Sequence, residues 1–214
     1  MGRIKKGILG GFSGKVGTVV GANWKTVSYI RSLPQNMKNP RTISQRRQRG
    51  KFTLVIALLK PLNALLRIGW KLYARRQSPF NAATAYTLAN AVTGTFPNFQ
   101  IDYTKLLISC GSLPPAANCK VDEAGSNVSI SWENNSGAGA AKATDTALIA
   151  VLNPTKGETI IVTAGEKRST TGGQGTVLLP VNWSGDKVHS YLGFVSEDGK
   201  EVANSLYLGE TSVA

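Results

Sequence analysis

Six basic side chains lie within a short stretch of the chain, and both of their residue types bind phosphate groups. They are Lys38, Arg41, Arg46, Arg47, Arg49 and Lys51. An arginine guanidinium donates paired hydrogen bonds to one phosphate, whereas a lysine ammonium contributes a compact positive charge. No accompanying set of side chains is suited to reading base edges. The cluster therefore predicts binding of nucleic acid or another polyanion with little dependence on sequence.

Charge is divided unevenly along the chain. Residues 1–101 hold 17 of the 25 Lys and Arg residues and no Asp or Glu. The other 8 basic residues and all 12 acidic ones follow, so the net charge is +17 before Asp102 and −4 from it onward. This asymmetry is typical of a protein in which one part contacts nucleic acid or an anionic surface. The alternative is a solvated basic face that aids solubility.

Catalytic chemistry is not expected from this sequence. Its single histidine, His189, lies on a predicted strand, where a solvent-facing or core-edge imidazole is the simpler interpretation. The first hundred residues offer no carboxylate for an acid/base pair or a metal site. Later acidic pairs, Asp122-Glu123 and Glu197-Asp198, fall at predicted strand ends or turns. We therefore predict a non-enzymatic protein with no catalytic residue, no cofactor and no metal site.

The two cysteines, Cys110 and Cys119, have no neighbouring His or further Cys and make no zinc pattern. Their spacing allows a disulfide or two free thiols, and free thiols are the simpler expectation. No apolar run reaches the roughly 18 residues of a membrane span, and no signal peptide is recognisable. The sequence thus indicates a cytoplasmic protein, or one within a virion or similar particle, without a membrane partner.

The basic cluster is expected at the start of a helix. Thr42, followed three residues later by Gln45, forms a capping-box pattern. The basic turns then lead into an apolar run over residues 52–59, which Lys60-Pro61 interrupts before a second helical pattern begins. This order predicts a helical hairpin or kinked pair with a cationic start and an apolar body.

The segments around this pair predict a small α+β domain over residues 1–110. Glycine-rich alternation in residues 2–33 is typical of a β-hairpin or meander. Ser78-Pro79 predicts the start of a further helix, with Gly94 as its expected stop. Residues 95–109 are expected to form one or two strands that return to the front sheet. The domain would then be a short glycine-rich sheet covered by two to three helices.

A linker is predicted at residues 111–116, followed by an all-β domain over residues 117–214. About seven short apolar runs separated by turn signals are typical of an antiparallel sandwich. Trp132 on the second run and Tyr191 near the start of the sixth, without a bridging cysteine pair, resemble fibronectin type III and other immunoglobulin-like domains. The resemblance implies a binding or assembly module with Trp132 in the core.

A second resemblance covers nearly the whole chain. Asn39-Pro40-Arg41-Thr42, together with Gln45, Arg49 and Phe52, is similar to a pattern Asn-Pro-(Lys/Arg)-Thr-x-x-Gln-x-x-x-Arg-x-x-Phe found in phage-associated and other poorly characterised bacterial proteins. Further similarity lies in residues 10–17, 29–34 and 195–200. The resembled family has no assigned activity. Its phage association implies a virion, prophage or particle-forming component.

Two functional hypotheses follow from the sequence. In the first, the basic front domain binds nucleic acid or another polyanion within an assembly. In the second, the chain is a structural subunit of a self-assembling phage-like particle or filament and makes no nucleic-acid contact of its own. A homo-oligomer or an assembly partner is expected in both, and the two are compatible if the particle packages nucleic acid.

Overall fold

The computed structural model describes residues 2–4, 7, 10–24, 27–35, 39–74, 77–124, 127–169 and 174–213. The chain forms two compact units, Met1–Thr42 and Ile43–Ala214. This division precedes the basic helix, whereas the sequence suggested a boundary at the linker 111–116.

The first unit is an antiparallel meander, as predicted. Its strands, in the order in which they pair, are β1 (Arg3–Ile4), β2 (Phe12–Val16), β3 (Val19–Trp24) and β4 (Val27–Ser32). Gly17 turns the chain between β2 and β3 with a φ of 57°, a conformation that glycine adopts at little cost. Gly21 passes the backbone of Phe12 so closely that a Cβ atom would overlap the Phe12 carbonyl oxygen. These glycines explain the composition of this segment.

The second unit begins with the predicted helices. They are α1 (Ile43–Leu59), α2 (Asn63–Gly69) and α3 (Pro79–Asn90), and a short 3-10 turn (Lys71–Tyr73) follows α2. The α1–α2 pair is bent by 90° at the Lys60-Pro61 break, so it is a kinked pair. The Ser78 hydroxyl accepts a hydrogen bond from the Asn81 amide at 3.2 Å, which confirms the predicted cap of α3.

A two-stranded hairpin follows α3, consisting of β5 (Val92–Thr95) and β6 (Asn98–Ile101). The prediction that these residues return to the front sheet is therefore wrong. Gly94 was expected to stop α3, but the helix ends at Asn90 and Gly94 lies within β5 with a φ of 82°. Only Phe96 and Pro97 connect the strands, and so short a connection closes with little loss of chain entropy compared with a distant pairing.

The predicted sandwich is confirmed over the described part of the chain. Its strands are β7 (Ala117–Ala124), β8 (Asn127–Glu133), β9 (Thr146–Asn153), β10 (Glu158–Val162), β11 (Gln174–Leu178), β12 (Lys187–Val195) and β13 (Leu206–Ser212). They pair as a three-stranded sheet β11-β8-β7 and a four-stranded sheet β10-β9-β12-β13. Trp132 is buried between the sheets, edge-on to Phe194 with ring centres 5.6 Å apart, as expected of a core residue.

The helices pack on the outer face of the four-stranded sheet. A second core joins Leu59, Leu66 and Trp70 of the helical segment to Leu152 of β9 and Tyr191 of β12. The prediction assigned these helices to the glycine-rich sheet, but their buried residues share a core with the sandwich. Nearly every position of β9 and β12 is buried, because one face meets the other sheet and the opposite face meets the helices.

Among the described residues, no single helix is long and apolar enough to cross a membrane. The α1–α2 pair meets that requirement only when both helices are counted together, across their 90° bend.

Candidate nucleic-acid interface

The C-terminal half of helix α1 packs into the core, and its N-terminal half is exposed. Its second half supplies Val55 and Leu59 to the core, where both side chains are fully buried. Its first half carries Arg46 and Arg47 as exposed side chains and Lys51 as a half-buried one. The packing of the apolar half therefore holds the basic half in a defined position against the rest of this unit.

The basic half of α1 faces the β5–β6 hairpin across a cleft of about 390 Å³. The cleft is lined by Ser44, Arg47, Gln48, Lys51, Gly94, Thr95, Phe96 and Phe99. Helix and hairpin approach closely at Gly50, where a Cβ atom would lie 3.4 Å from the Phe99 ring. One wall of the cleft is therefore cationic and polar, and the other is aromatic.

Two cation–π contacts join these walls. The Arg46 guanidinium carbon lies 6.0 Å from the centre of the Phe96 ring, and the Lys51 ammonium nitrogen lies 5.3 Å from the centre of the Phe99 ring. The two rings are 6.3 Å apart with an angle of 56° between their planes. A cation over an aromatic face is attracted by the ring's negative charge density. These contacts orient the two cations without neutralising their charge.

The carboxylate that follows the hairpin is already engaged by its own neighbours. Asp102 accepts hydrogen bonds from the Thr104 hydroxyl and amide and pairs with the Lys105 ammonium at 3.2 Å. The hydrogen bond from the Thr104 side chain, with help from Lys105, holds the pKa of Asp102 below its usual range. No Asp or Glu precedes it in the sequence. The positive charge of the first hundred residues therefore has no carboxylate partner within the same segment.

The structure brings three of the six predicted site residues to this cleft or its edge: Arg46, Arg47 and Lys51. Arg49 is exposed on the same helix. Arg41 belongs to the first unit, where its backbone has a φ of 46° and its amide donates to the Asn39 side chain at 3.3 Å. Lys38 lies outside the described residues. Whether any of the six binds nucleic acid stays a prediction.

Sequence reasoning missed the aromatic side of the cleft. Phe96 and Phe99 were interpreted only as strand residues, and Ser44 and Thr95 were not considered. For Gln48 the sequence suggested a cap or a solvent-facing residue. The available signal was the closeness of two phenylalanines to the Phe96-Pro97 turn, but nothing in the local sequence indicates which helix such a turn will face.

Elsewhere in the described residues, the reactive side chains are engaged in packing. His189 stacks on Tyr103 with ring centres 3.9 Å apart, and its Nδ1 lies 2.9 Å from the Tyr207 hydroxyl oxygen. Cys110 and Cys119 are free thiols, and burial raises the pKa of Cys119 to about 11, which disfavours the reactive thiolate. Among the residues that the structure describes, no three His, Cys, Asp or Glu side chains are grouped so as to hold a metal ion.

Comparisons with known proteins give a family and a distant structural likeness. A model described as "Family of unknown function (DUF6266)" matches residues 11–209. A search of curated proteins found no match. Among solved structures, the fn3 domain of human collagen alpha-1(XX) chain is similar with 12% sequence identity and a TM-score of 0.33. That likeness covers 50% of this chain and 91% of the collagen domain.

Proposed function

The chain belongs to the family of unknown function DUF6266, and we propose that it is a non-enzymatic protein that binds nucleic acid with little sequence preference. The contact is made by Arg46, Arg47 and Lys51 in the first half of α1. One observation carries this proposal: in a segment without carboxylates, the folded chain gathers these cations around one cleft.

The placement of these charges is electrostatically unfavourable in the free protein. Arg47 and Lys51 are four residues apart on the helix, where like charges repel by roughly 0.2–0.5 kcal/mol. The N-terminal end of a helix carries a partial positive charge and favours anions, yet the first turn of α1 has no acidic residue and Arg46 follows directly. A bound phosphate backbone would relieve both repulsions. A cationic cluster of this kind in a segment without carboxylates supports an anionic ligand.

The experiment that tests the proposal measures fluorescence anisotropy of labelled random 20-mers of DNA and RNA. The variant R46Q/R47Q/K51Q removes three positive charges at the cleft. Its matched control, K120Q/K142Q/K167Q, removes three positive charges from exposed lysines of the sandwich. We expect the cleft variant to lose about tenfold or more in affinity on every sequence at low salt. Each phosphate contact that the variant cannot make leaves its counterions on the nucleic acid, and the entropy gained by their release is lost.

The control variant should stay close to the wild-type affinity. Equal losses in both variants would show that only net charge matters and would remove α1 from the proposal. If the wild-type protein binds neither DNA nor RNA at low salt, the proposed function is wrong.

A second candidate function, a subunit of a self-assembling particle, is favoured by the first unit. Strand β4 lies at the edge of its sheet, and all six of its residues are exposed, including Val27, Tyr29 and Ile30. An edge strand with unpaired backbone groups and apolar side chains is suited to adding to the sheet of another copy. The resemblance of Asn39-Pro40-Arg41-Thr42 to a pattern of phage-associated proteins supports such a role.

Light scattering at several salt concentrations tests this second candidate. We expect a mass above that of the 22.7 kDa chain and a return toward the monomer in V27K/I30K, since lysines on an edge strand oppose pairing. The cleft variant R46Q/R47Q/K51Q should assemble like the wild type. A wild-type protein that is monomeric at every concentration and salt would exclude assembly through β4.

A further inference from the structure

We propose that the cleft between α1 and the β5–β6 hairpin takes unpaired bases of a single strand, which stack on Phe96 or Phe99 while Arg46, Arg47 and Lys51 hold the flanking phosphates. This inference rests on the proposed function and narrows its ligand from nucleic acid in general to single-stranded nucleic acid.

The combination of cations and rings favours a nucleic acid over a simple polyanion. A ligand made only of negative charge needs the basic side chains and gains nothing from the rings. Phe96 and Phe99 both line the cleft and are only half-buried. Proteins that bind single strands combine a positive groove with aromatic side chains, because every base has a face that can stack regardless of its identity. The arrangement therefore fits the low sequence preference proposed above.

The size of the cleft favours unpaired bases over a duplex. Its volume of about 390 Å³ falls in the range of roughly 300–1,000 Å³ that small ligands occupy. In a duplex the base faces are stacked on one another and cannot reach the two phenylalanine rings. A single strand can turn a base out of its stack and into the cleft.

Polar side chains around the rings provide partners for a base edge. Ser44 and Gln48 lie on the helical wall, and Thr95 lies on the hairpin wall. A glutamine amide and two hydroxyls both donate and accept hydrogen bonds, so they can accommodate more than one base. Arg46 lies over the Phe96 ring, so its guanidinium is close to any base that stacks there.

The test compares two oligonucleotides of equal charge on the unmodified protein. One is a labelled 20-residue oligothymidylate, and the other is an abasic 20-mer with the same number of phosphates. Stacking of even one base predicts at least about fivefold tighter binding of the thymidylate. The variant F96L/F99L should reduce that difference in affinity. The control F52L should preserve it, because Phe52 is an exposed phenylalanine of α1 that does not line the cleft.

The outcomes separate this inference from the proposed function. Equal affinity for the thymidylate and abasic strands would overturn base stacking and leave the proposed phosphate contacts to nucleic acid intact. A base-dependent difference that F96L/F99L leaves unchanged, with the variant shown to be folded by circular dichroism, would overturn the assignment to this cleft. Absence of binding to both strands would overturn this inference, and the proposed function falls with it only if random duplex DNA is not bound either. If F96L/F99L fails to fold, the comparison of the two strands on the unmodified protein still decides whether bases contribute to the affinity.

Discussion

The guanidinium carbon of Arg168 lies 4.0 Å from the centre of the Phe194 ring, inside the sandwich. The Arg168 side chain is completely buried, and its Nε donates to a carboxylate oxygen of Asp145 at 3.1 Å. The other end of the guanidinium donates to the carbonyl oxygens of Pro114 and Pro115, in the segment that the sequence suggested as a linker. This one side chain therefore ties the predicted linker to the core of the sandwich.

Replacing Arg168 by methionine should destabilise the protein strongly. The variant R168M keeps much of the side-chain volume but leaves the Asp145 carboxylate buried without its cation, which costs about 3–5 kcal/mol. Urea unfolding followed by tryptophan fluorescence measures this loss. The neighbouring exposed residue offers a control, since K167M should stay within about 0.5 kcal/mol of the wild type. A loss below about 1 kcal/mol for R168M would show that the pair contributes little.

Two glycine-to-alanine variants should shift stability in opposite directions. Gly69 ends α2 so close to the next segment that a Cβ atom would lie 2.6 Å from the Ile108 carbonyl oxygen and 2.8 Å from the Ser109 Cβ. G69A should therefore cost about 1–3 kcal/mol through overpacking. Gly50, in the middle of α1, has room for a methyl group beside Phe99. G50A should stabilise by about 0.5–1 kcal/mol through helix propensity. Thermal unfolding of both variants checks the signs, and the same sign in both would contradict this packing account.

The imidazole of His189 should make stability depend on pH above the range of the carboxylates. It stacks on Tyr103, contacts the Tyr207 hydroxyl and is 7% exposed. Burial lowers the pKa of His189 below 6.5, Lys187 lowers it further, and the Glu210 carboxylate opposes the shift. The unfolded chain then binds more protons than the folded one below pH 6.5. The contribution of His189 to the free energy of unfolding is therefore fully present above pH 6.5. It is lost as the pH drops toward the pKa of His189 in the folded protein.

Urea unfolding at about pH 7.5 and at about pH 5 measures this effect. The carboxylates with lowered pKa values, such as Asp198 and Glu210, lose their contribution only below their ordinary values of 3.8 and 4.5. In H189Q the slope between the two pH values should be smaller than in the wild type. An equal slope in both proteins would assign the pH dependence to other groups.

The salt dependence of binding should report how many phosphates the cleft contacts. On duplex DNA each neutralised phosphate contributes about −0.9 to the slope of log K against log salt, and on a single strand about −0.7. R46Q/R47Q/K51Q should therefore flatten the slope by about 2.7 on a duplex or about 2.1 on a single strand. Anisotropy titrations between about 50 and 300 mM salt measure it. An unchanged slope would mean that the three side chains make no phosphate contact.

Local features of the chain could be predicted because their causes are local. The start of α1 after Thr42, the break at Lys60-Pro61 and the cap at Ser78 each depend on a few adjacent residues whose backbone preferences are strong. The alternation Val128, Ile130, Trp132 likewise places one face of β8 in a core. The uneven charge and the scarcity of candidate catalytic residues are properties of composition and need no fold.

What covers each apolar surface could not be determined in this way. The continuous apolar run of β9 over residues 147–152 is typical of a strand buried on both faces, and that signal could have indicated a layer of helices on the sandwich. It does not say which helices form the layer. The contacts of Arg46 with Phe96 and of Lys51 with Phe99 could not be predicted for the same reason. These residues are distant in sequence and are brought together only when large surfaces are buried. The sequence by itself determined the elements and the sign of their charge, since both follow from neighbouring residues. Only the tertiary structure decided that the basic turns face an aromatic hairpin, since that depends on the combined packing of helices, hairpin and sandwich.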